Sequence, residues 1–365
     1  MIPMNGFQRE PELLRRRELA AAERVIRSGW YVLGQEVRNF EAEWARVVGA
    51  PHAIGVGNGM DAIEIALRAL GIGPGDEVIT TPMTAFASVL AILRAGAEPV
   101  LADIDSSTAQ MALESARRCL SPRTRAVLLV HLYGHAHDLD RWHRFCGEAD
   151  VVLLEDCAQA HLAAWDGRCA GTWGSAGAFS FYPTKNLGAL GDGGAIVTGD
   201  SGLAERARQL RNYGQSDRYH HPLLGLNSRL DELHAAILRE RLSVLGEYTA
   251  RRRAIARVYR ANITNSRLRM LDAPQDESNH VYHLFVVCCE ERDRLSTYLR
   301  EWGIESLIHY PIPVHEQPPC AGLRRDLLGL AATERHAASC LSIPCNPQLT
   351  DYEVASVVSA LHEFR

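Results

Sequence analysis

The chain contains a single lysine, Lys185, among 39 lysine and arginine residues. Because arginine supplies every other cation of this kind, a lysine kept at one position indicates chemistry that a guanidinium cannot perform. A deprotonated amine adds to a carbonyl and forms an imine, whereas a guanidinium stays protonated. A stray lysine in an arginine-biased chain would give the same count, so the neighbouring segments must decide between the two interpretations.

An acid follows a buried strand pattern 29 residues before this lysine. Residues 151–155 read Val-Val-Leu-Leu-Glu, and Asp156 comes next. Ligands of open α/β sheets bind outside the carboxyl ends of strands. An acid that keeps a pyridine nitrogen protonated, beside a lysine that holds an aldehyde as an imine, suits pyridoxal 5'-phosphate (PLP). Without Lys185, Asp156 would be interpreted as a helix N-cap or as part of a structural ion pair.

A glycine-rich loop, residues 55–61, lies between a predicted strand and a predicted helix. Free amides at a helix start bind phosphate well. A dinucleotide-binding fold is the alternative, but the spacing is not that of GxGxxG. The acids about 20 residues on, Asp76 and Glu77, come before or at the start of the next strand, whereas a ribose-binding acid should end it. The loop therefore favours a phosphate group outside a dinucleotide fold.

Short apolar runs alternate with helical patterns along the first two thirds of the chain, which predicts a largely parallel sheet covered on both faces. A first helix is predicted over residues 11–28, with Leu13, Leu14, Leu19, Val25 and Ile26 as its apolar positions. The seven candidate strands are Ala53–Val56, Glu77–Thr80, Glu98–Ala102, Ala126–Val130, Val151–Glu155, Gly177–Phe181 and Ala195–Thr198.

A long helix is then predicted over Leu230–Tyr259, leading into a smaller α+β unit. The elements predicted for that unit are strand Tyr282–Cys288, helix Arg292–Trp302, strand Glu305–His309 and helix Tyr352–Glu363. The predicted division is a large domain of residues 1–245 and a small C-terminal domain of residues 246–365.

Composition excludes several classes of protein. The net charge is −5, and acidic and basic residues are interspersed along the chain. This pattern does not predict the basic surface that nucleic-acid binding requires. No apolar run approaches the length of a membrane span. Nine cysteines without a framework spacing indicate reduced thiols in a cytoplasmic protein. One cluster has residue types that bind metals: His131, His135, His137, Asp138 and Asp140. It lies in an ordinary loop that follows a predicted strand, so no metal is expected.

These segments together resemble the DegT/DnrJ/EryC1/StrS family of PLP-dependent sugar aminotransferases. The resemblance is carried most specifically by residues 155–161 (Glu-Asp-Cys-Ala-Gln-Ala-His) and 179–194, with support from residues 28–34, 71–78, 131–134, 227–233 and 309–311. It implies the α/β fold of PLP-dependent transferases of fold type I. That fold has a large, mostly parallel seven-stranded sheet between helices, followed by a smaller C-terminal α+β domain.

The resemblance also implies roles for individual residues. Lys185 is the catalytic lysine that binds the cofactor, Asp156 pairs with the pyridine nitrogen, and Gln159 lies near the ring's 3-hydroxyl. Ser180 and the amides of Gly59, Met60 and Asp61 hold the phosphate. Asn227 reaches the phosphate of a neighbouring subunit's cofactor, which implies a homodimer with shared active sites. The positions that lie near substrate are Tyr31, Tyr213, His309 and Tyr310.

This chain departs from the family pattern at several positions. Met60 replaces a usual threonine or serine, so a side-chain hydroxyl on the phosphate is lost while the backbone amide remains. A ring-stacking aromatic is typical near residue 85, where this chain has Ala85 followed by Phe86. Phe86 is the candidate for this cofactor contact, and whether it stacks is left open. Thr184 and Leu162 stand where glycines are common. The changes concern cofactor affinity and substrate shape more than imine chemistry.

The resemblance predicts transfer of an amino group from L-glutamate to a nucleotide-linked keto sugar, with pyridoxamine phosphate as the intermediate form of the cofactor. Three alternatives remain. An aminotransferase for a cyclitol or another cyclic ketone shares every cofactor motif. A PLP-dependent sugar dehydratase on the same fold commonly replaces the lysine, which Lys185 argues against. A non-catalytic regulator on this fold would not need Lys185, Asp156, Gln159 and Ser180 together.

Overall fold

The computed structural model describes residues 1–365. The strands are β1 (His52–Val56), β2 (Glu77–Thr80), β3 (Glu98–Leu101), β4 (Thr124–Val130), β5 (Val152–Asp156), β6 (Ala164–Trp165), β7 (Arg168–Cys169), β8 (Ala176–Ser180), β9 (Gly194–Thr198), β10 (Arg269–Met270), β11 (Phe285–Cys288) and β12 (Cys340–Ile343). The helices are α1 (Glu12–Ser28), α2 (Gln35–Val48), α3 (Gly59–Ala69), α4 (Phe86–Ala95), α5 (Leu113–Cys119), α6 (Leu139–Ala149), α7 (Ser201–Leu210), α8 (Glu232–Leu242), α9 (Leu245–Asn262), α10 (Arg292–Glu301), α11 (Ala331–Ser339) and α12 (Asp351–Glu363).

Seven strands form one large sheet in the order β1-β9-β8-β5-β4-β2-β3. Strands β3, β2, β4, β5 and β8 are parallel to one another, and β9 is antiparallel to both β8 and β1. Helices α2, α6 and α8 contribute to the core on one face, and α3, α4 and α7 to the core on the other. The strands are therefore covered on both faces and are mostly buried and apolar. The predicted α/β class and its seven strands are confirmed.

The C-terminal part forms a smaller unit around the antiparallel sheet β10-β11-β12. Its core contains residues of α9, α10 and α12. The start of the chain joins this unit, since Ile2 pairs with Ile304 and the Met4 amide donates to the Glu305 carboxylate at 2.7 Å. The division near residue 245 stays a prediction, and the junction of α8 with α9 lies at that position.

The single helix predicted over Leu230–Tyr259 is wrong, because the structure has α8 and α9 separated at Ser243 and Val244. The Ser243 hydroxyl donates to the Glu240 carbonyl at 2.6 Å, and the amides of Ser243 and Val244 bond three residues back. A hydroxyl that donates to a helix carbonyl competes with the backbone amide four residues on for that acceptor. The last turn then tightens to bonds between residues three apart. Apolar periodicity continues across this break, which is why the pattern did not reveal it.

The strand predicted over Glu305–His309 is also wrong. Only Leu307 pairs with the small sheet, through a single two-bond bridge to Ser342 of β12. The Glu305 amide bonds instead to the Ile2 carbonyl at 3.0 Å. The N-terminal segment therefore occupies a backbone amide that a longer strand beside β12 would need for its own pairing.

Helix α1 differs from its predicted burial. Leu14 and Val25 are buried, but Leu13, Leu19 and Ile26 are exposed at 70%, 70% and 63%. Nothing within the chain covers these three side chains. Every helix of the chain is too short or too polar to span a bilayer.

Candidate active site

Neighbouring strands β5 and β8 bring the predicted acid and lysine together. Asp156 is the last residue of β5, and its Cα pairs with that of Ala178 on the parallel strand β8. Ser180 ends β8, and Lys185 follows it in the next loop. The negative charge of Asp156 is close enough to raise the pKa of Lys185, against a larger opposite effect of burial. The carboxyl edge of the sheet is thus the place where the candidate groups converge, as open α/β sheets favour.

Asp156 is buried, and both of its carboxylate oxygens accept hydrogen bonds. The Ser88 hydroxyl donates to Oδ2 at 2.7 Å, and the Ala158 amide donates to Oδ1 at 3.0 Å. The hydroxyls of Ser88 and Thr84 are 2.8 Å apart. These bonds fix the carboxylate in one orientation. Sequence reasoning missed Ser88, which lies 68 residues from its partner.

Burial lowers the pKa of Lys185 from its ordinary value of 10.5 to about 8, although the charge of Asp156 raises it. Its charge acts on three nearby histidines that burial already keeps neutral. Burial lowers the pKa of His161 to about 3 and that of His309 to about 4, and it places the pKa of His283 well below its ordinary value. With a pKa of about 8, roughly a tenth of Lys185 is an uncharged, nucleophilic amine at pH 7.

Gln159 lies next to the acid and is held at both ends of its amide. The Tyr133 backbone amide donates to Oε1 at 2.6 Å, and Nε2 donates to the Tyr310 hydroxyl at 3.2 Å. Tyr310 therefore joins Gln159 at the site, and His309 is bound through Nδ1 to the Ser342 hydroxyl at 2.9 Å. The structure brings together four predicted residues here: Asp156, Gln159, His309 and Tyr310.

The start of α3 lies against Ser180. A Cβ atom added to Gly59 would be 2.6 Å from the Ser180 Cβ, so only glycine allows this close approach. The amides of Gly59 and Met60 have no acceptor within the chain. The Asp61 amide was predicted to bind the phosphate as well. In the structure it donates at 2.8 Å to Oδ1 of Asn58, the N-cap residue of α3. Two free amides and the Ser180 hydroxyl remain available for an anion, which helix starts favour.

These groups fit PLP. Asp156 can hold a protonated ring nitrogen, the Gln159 amide can donate to a ring oxygen, and Lys185 offers the amine for the aldehyde. The Gly59 and Met60 amides and Ser180 provide donors for a phosphate. When bound, the cofactor supplies the aldehyde and the electron-accepting ring, and the residues of the chain provide orientation and proton transfer.

Comparison with known proteins agrees with this geometry. The model of the DegT/DnrJ/EryC1/StrS aminotransferase family matches residues 12–362. The chain belongs to this family. It is 44% identical over 363 residues to the dTDP-3-amino-3,4,6-trideoxy-alpha-D-glucose transaminase of Streptomyces venezuelae, covering 100% of this chain and 96% of the relative.

Two solved structures share the fold of this aminotransferase. The crystal structure of S. venezuelae DesV matches with a TM-score of 0.95 and 43% identity, over 99% of this chain and 98% of that chain. The structure of NtdA from Bacillus subtilis with bound pyridoxamine phosphate matches with a TM-score of 0.91 and 28% identity, over 99% of this chain and 84% of that chain. The expected fold of PLP-dependent aminotransferases is confirmed.

The remaining predicted residues of the aminotransferase lie at its surface. Phe86 begins α4, is 36% exposed, and lines a cavity of about 150 Å³ together with Thr84 and Tyr310. Tyr31, Tyr213 and Asn227 are exposed, and their side chains form no hydrogen bond with the residues around Lys185. The single chain therefore does not bring these three residues into the site.

The histidines and acids considered for a metal point to different partners. His137 Nε2 lies 3.0 Å from the Val130 carbonyl, and the Asp138 carboxylate caps α6. Asp140 accepts from the Trp165 indole at 3.0 Å. His131 contacts Glu155 at 3.0 Å, and Glu155 also accepts the amides of Gly171, Trp173 and Gly174. The contacts of Glu155 hold the loop that precedes β8.

Proposed function

We propose that this chain transfers an amino group from L-glutamate to the keto carbon of a nucleotide-linked sugar. PLP would carry the group as pyridoxamine phosphate between the two halves of the reaction. The observation that supports this most is the pairing of a buried, doubly hydrogen-bonded Asp156 with a lysine whose pKa burial lowers to about 8. Transamination needs both groups, since one holds the ring as an electron sink and the other moves a proton.

Each residue then has a defined task. Asp156 keeps the ring nitrogen protonated, and the Gln159 amide donates to the 3-oxygen of the ring. Lys185 is the catalytic residue: its amine would hold the aldehyde of the cofactor and, once released, would move a proton to and from the substrate carbon. The free amides at the start of α3 and the Ser180 hydroxyl hold the phosphate.

The nucleotide sugar is supported by the relatives. The S. venezuelae relative is a dTDP-amino-sugar transaminase that aligns with all of this chain. His309 and Tyr310 lie beside the cofactor residues, where a sugar bound for transfer would have to come. We assign them to substrate binding, and Phe86, beside Tyr310, to the wall of the same site.

We further propose a homodimer in which each site contains residues of both chains. The exposed apolar side chains Leu19 and Ile26 are seven residues apart on α1, and Trp30 and Tyr31 follow at 63% and 56% exposure. Several large apolar side chains exposed along one segment are typical of an interface. Tyr31, Tyr213 and Asn227 are predicted site residues that the single chain leaves exposed and without a hydrogen bond to the residues around Lys185. A partner subunit would bring them to the neighbouring cofactor. The nine free cysteines suit the reducing cytoplasm.

Subunit exchange tests the shared site. Lys185→Ala and Asn227→Asp should each be nearly inactive, because the first lacks the amine and the second sets a carboxylate against a phosphate. A mixed dimer contains one site with both lesions and one with neither, so mixing should restore up to about half of the activity per mixed dimer. The assay is amino transfer from glutamate to a dTDP-linked keto sugar.

Two controls complete this experiment. Lys185→Arg keeps a cation but not a nucleophile, so it should be inactive alone and should also be rescued by Asn227→Asp. Exchange is verified by mass spectrometry of differently tagged subunits. Failure to recover activity despite verified exchange would show that Asn227 serves its own subunit. Activity with a cyclitol ketone but with no nucleotide sugar would favour the alternative aminotransferase.

A further inference from the structure

Tyr133 occupies a strained position directly behind the cofactor residues. It follows β4, is 2% exposed, and has a φ of 61°, a value that residues other than glycine seldom adopt. Gly134 after it has a φ of 93°, and a Cβ there would lie 2.8 Å from the Gln159 carbonyl oxygen. A bulky residue held in such a backbone conformation requires support from its surroundings and often marks a functional site.

The backbone amide of Tyr133 determines which way the Gln159 side chain faces. A backbone N–H can only donate, so the group 2.6 Å from it must be Oε1. Nε2 is then the end of the amide that faces the Tyr310 hydroxyl and the cofactor side of the site. Gln159 is thereby limited to donating toward a ring oxygen.

The hydroxyl of Tyr133 connects the large sheet to the smaller unit. It lies 2.5 Å from the His309 carbonyl oxygen and 2.9 Å from His336 Nε2. The carbonyl can only accept, so the single phenolic proton points at His309. His336 Nε2 must therefore carry a proton and donate to the phenolic oxygen. Since burial lowers the pKa of His336 to about 4, this is the neutral ring with a bare Nδ1, which lies 3.7 Å from the Cys288 thiol.

We propose that Tyr133 is a positioning residue of the transamination, with two separable actions. Its backbone amide sets Gln159 as a donor to the cofactor, and its hydroxyl holds the segment that carries His309 and Tyr310 over the substrate. The proposal rests on the proposed function for its kinetic part. The rigidity of the 307–312 segment can be measured without any reaction.

Tyr133→Phe tests the hydroxyl alone, because the ring and the backbone amide remain. Hydrogen–deuterium exchange of the 307–312 segment in the holoenzyme should become faster. The KM for the keto sugar should rise roughly tenfold, the effect of one lost hydrogen bond to a positioned group. The PLP dissociation constant should stay within about twofold of the wild type, since the Gln159 contact is unchanged.

Tyr259→Phe is the matched control. Tyr259 is also fully buried, and its hydroxyl donates to the Pro344 carbonyl at 2.7 Å, within the smaller unit. This variant should lose comparable stability, with no change in KM or in exchange of the 307–312 segment. If both variants change KM equally, or if Tyr133→Phe changes neither KM nor exchange, Tyr133 has only a structural role and the proposal is overturned.

Gln159→Glu tests the donor. Glutamate can still accept from the Tyr133 amide, but its second oxygen cannot donate to the ring. The pH titration of the visible absorbance of bound PLP, recorded without substrate, should shift in this variant and stay unchanged in Tyr133→Phe. An unshifted titration in Gln159→Glu would refute the donor assignment. If wild-type enzyme transfers no amino group while the exchange and titration results hold, the proposed function fails and the positioning of Gln159 and residues 309–310 stands.

Discussion

The lowered pKa of Lys185 predicts how the stability of the apoenzyme depends on pH. In the fold, burial lowers this pKa from 10.5 to about 8, so the folded protein gives up the proton earlier than the unfolded chain does. Between pH 8 and pH 10.5 the unfolded state therefore binds more protons, and the free energy of unfolding rises with pH. The full shift corresponds to about 3 kcal/mol, at about 1.4 kcal/mol per pH unit. Below pH 8 both states are protonated, and this contribution is constant.

The assay is urea unfolding of PLP-free wild type, Lys185→Met and Lys185→Arg at one protein concentration, from pH 7 to pH 10.5. The wild-type free energy of unfolding minus that of either variant should rise by about 3 kcal/mol across this range, because neither variant titrates there. Tyrosines, cysteines and the N-terminal amine are common to all three proteins, and no other lysine is present. A difference that stays flat would show that Lys185 keeps its ordinary pKa. A difference that falls would show that Asp156 outweighs burial. Either result refutes the argument for a neutral amine.

Three further predictions concern single residues. Asp156→Asn should still bind PLP but should turn over roughly 10²-fold more slowly in a steady-state assay, since an amide cannot hold the ring nitrogen protonated; full activity would exclude this role. Met60→Thr should lower the PLP dissociation constant roughly tenfold in a fluorescence titration by adding a hydroxyl beside the phosphate, whereas Met60→Val, which matches threonine in shape, should not. The Arg118 guanidinium lowers the pKa of Asp326 to about 2, so Asp326 contributes about 1 to 2 kcal/mol of stability above pH 4, with solvent screening included, that is lost as pH falls toward 2. Urea unfolding should show Asp326→Asn less stable than wild type at pH 7, and a constant gap down to pH 2.5 would contradict the assignment.

The elements that position the cofactor residues could be predicted from the sequence because each strand is a short apolar run that ends in a turn or a polar group. The run Val151–Glu155 followed by Asp156 is of this kind, and the structure has β5 there. The helix break at Ser243 could not be predicted, since it depends on one hydroxyl that bonds a carbonyl while the apolar spacing continues. Hydrophobic periodicity reports which face is buried and says nothing of such local competition.

The supporting residues were beyond sequence reasoning for a different reason. Ser88 and Tyr133 act through contacts with residues 68 and 26 positions away, and neither lies in a pattern that marks a tertiary contact. The resemblance to the family named groups expected at the cofactor, but not the groups that orient them. Tyr31, Tyr213 and Asn227 remain predictions, because their roles depend on a second subunit.

The site must keep an acid charged and a nearby amine partly neutral within one buried region. Burial alone would disfavour the charged form of both groups. The two groups differ in their hydrogen bonds. Asp156 accepts hydrogen bonds from the Ser88 hydroxyl and the Ala158 amide, whereas the Lys185 amine has no acceptor in the chain. Two donors therefore hold the carboxylate in place, whereas the ammonium form of Lys185 has only the charge of Asp156 in its favour. His309 and His283, which burial keeps neutral, direct Nδ1 at the Ser342 hydroxyl and at Asn186 Oδ1. Adding an acceptor beside Lys185 would favour its ammonium form and so remove the difference that transamination uses.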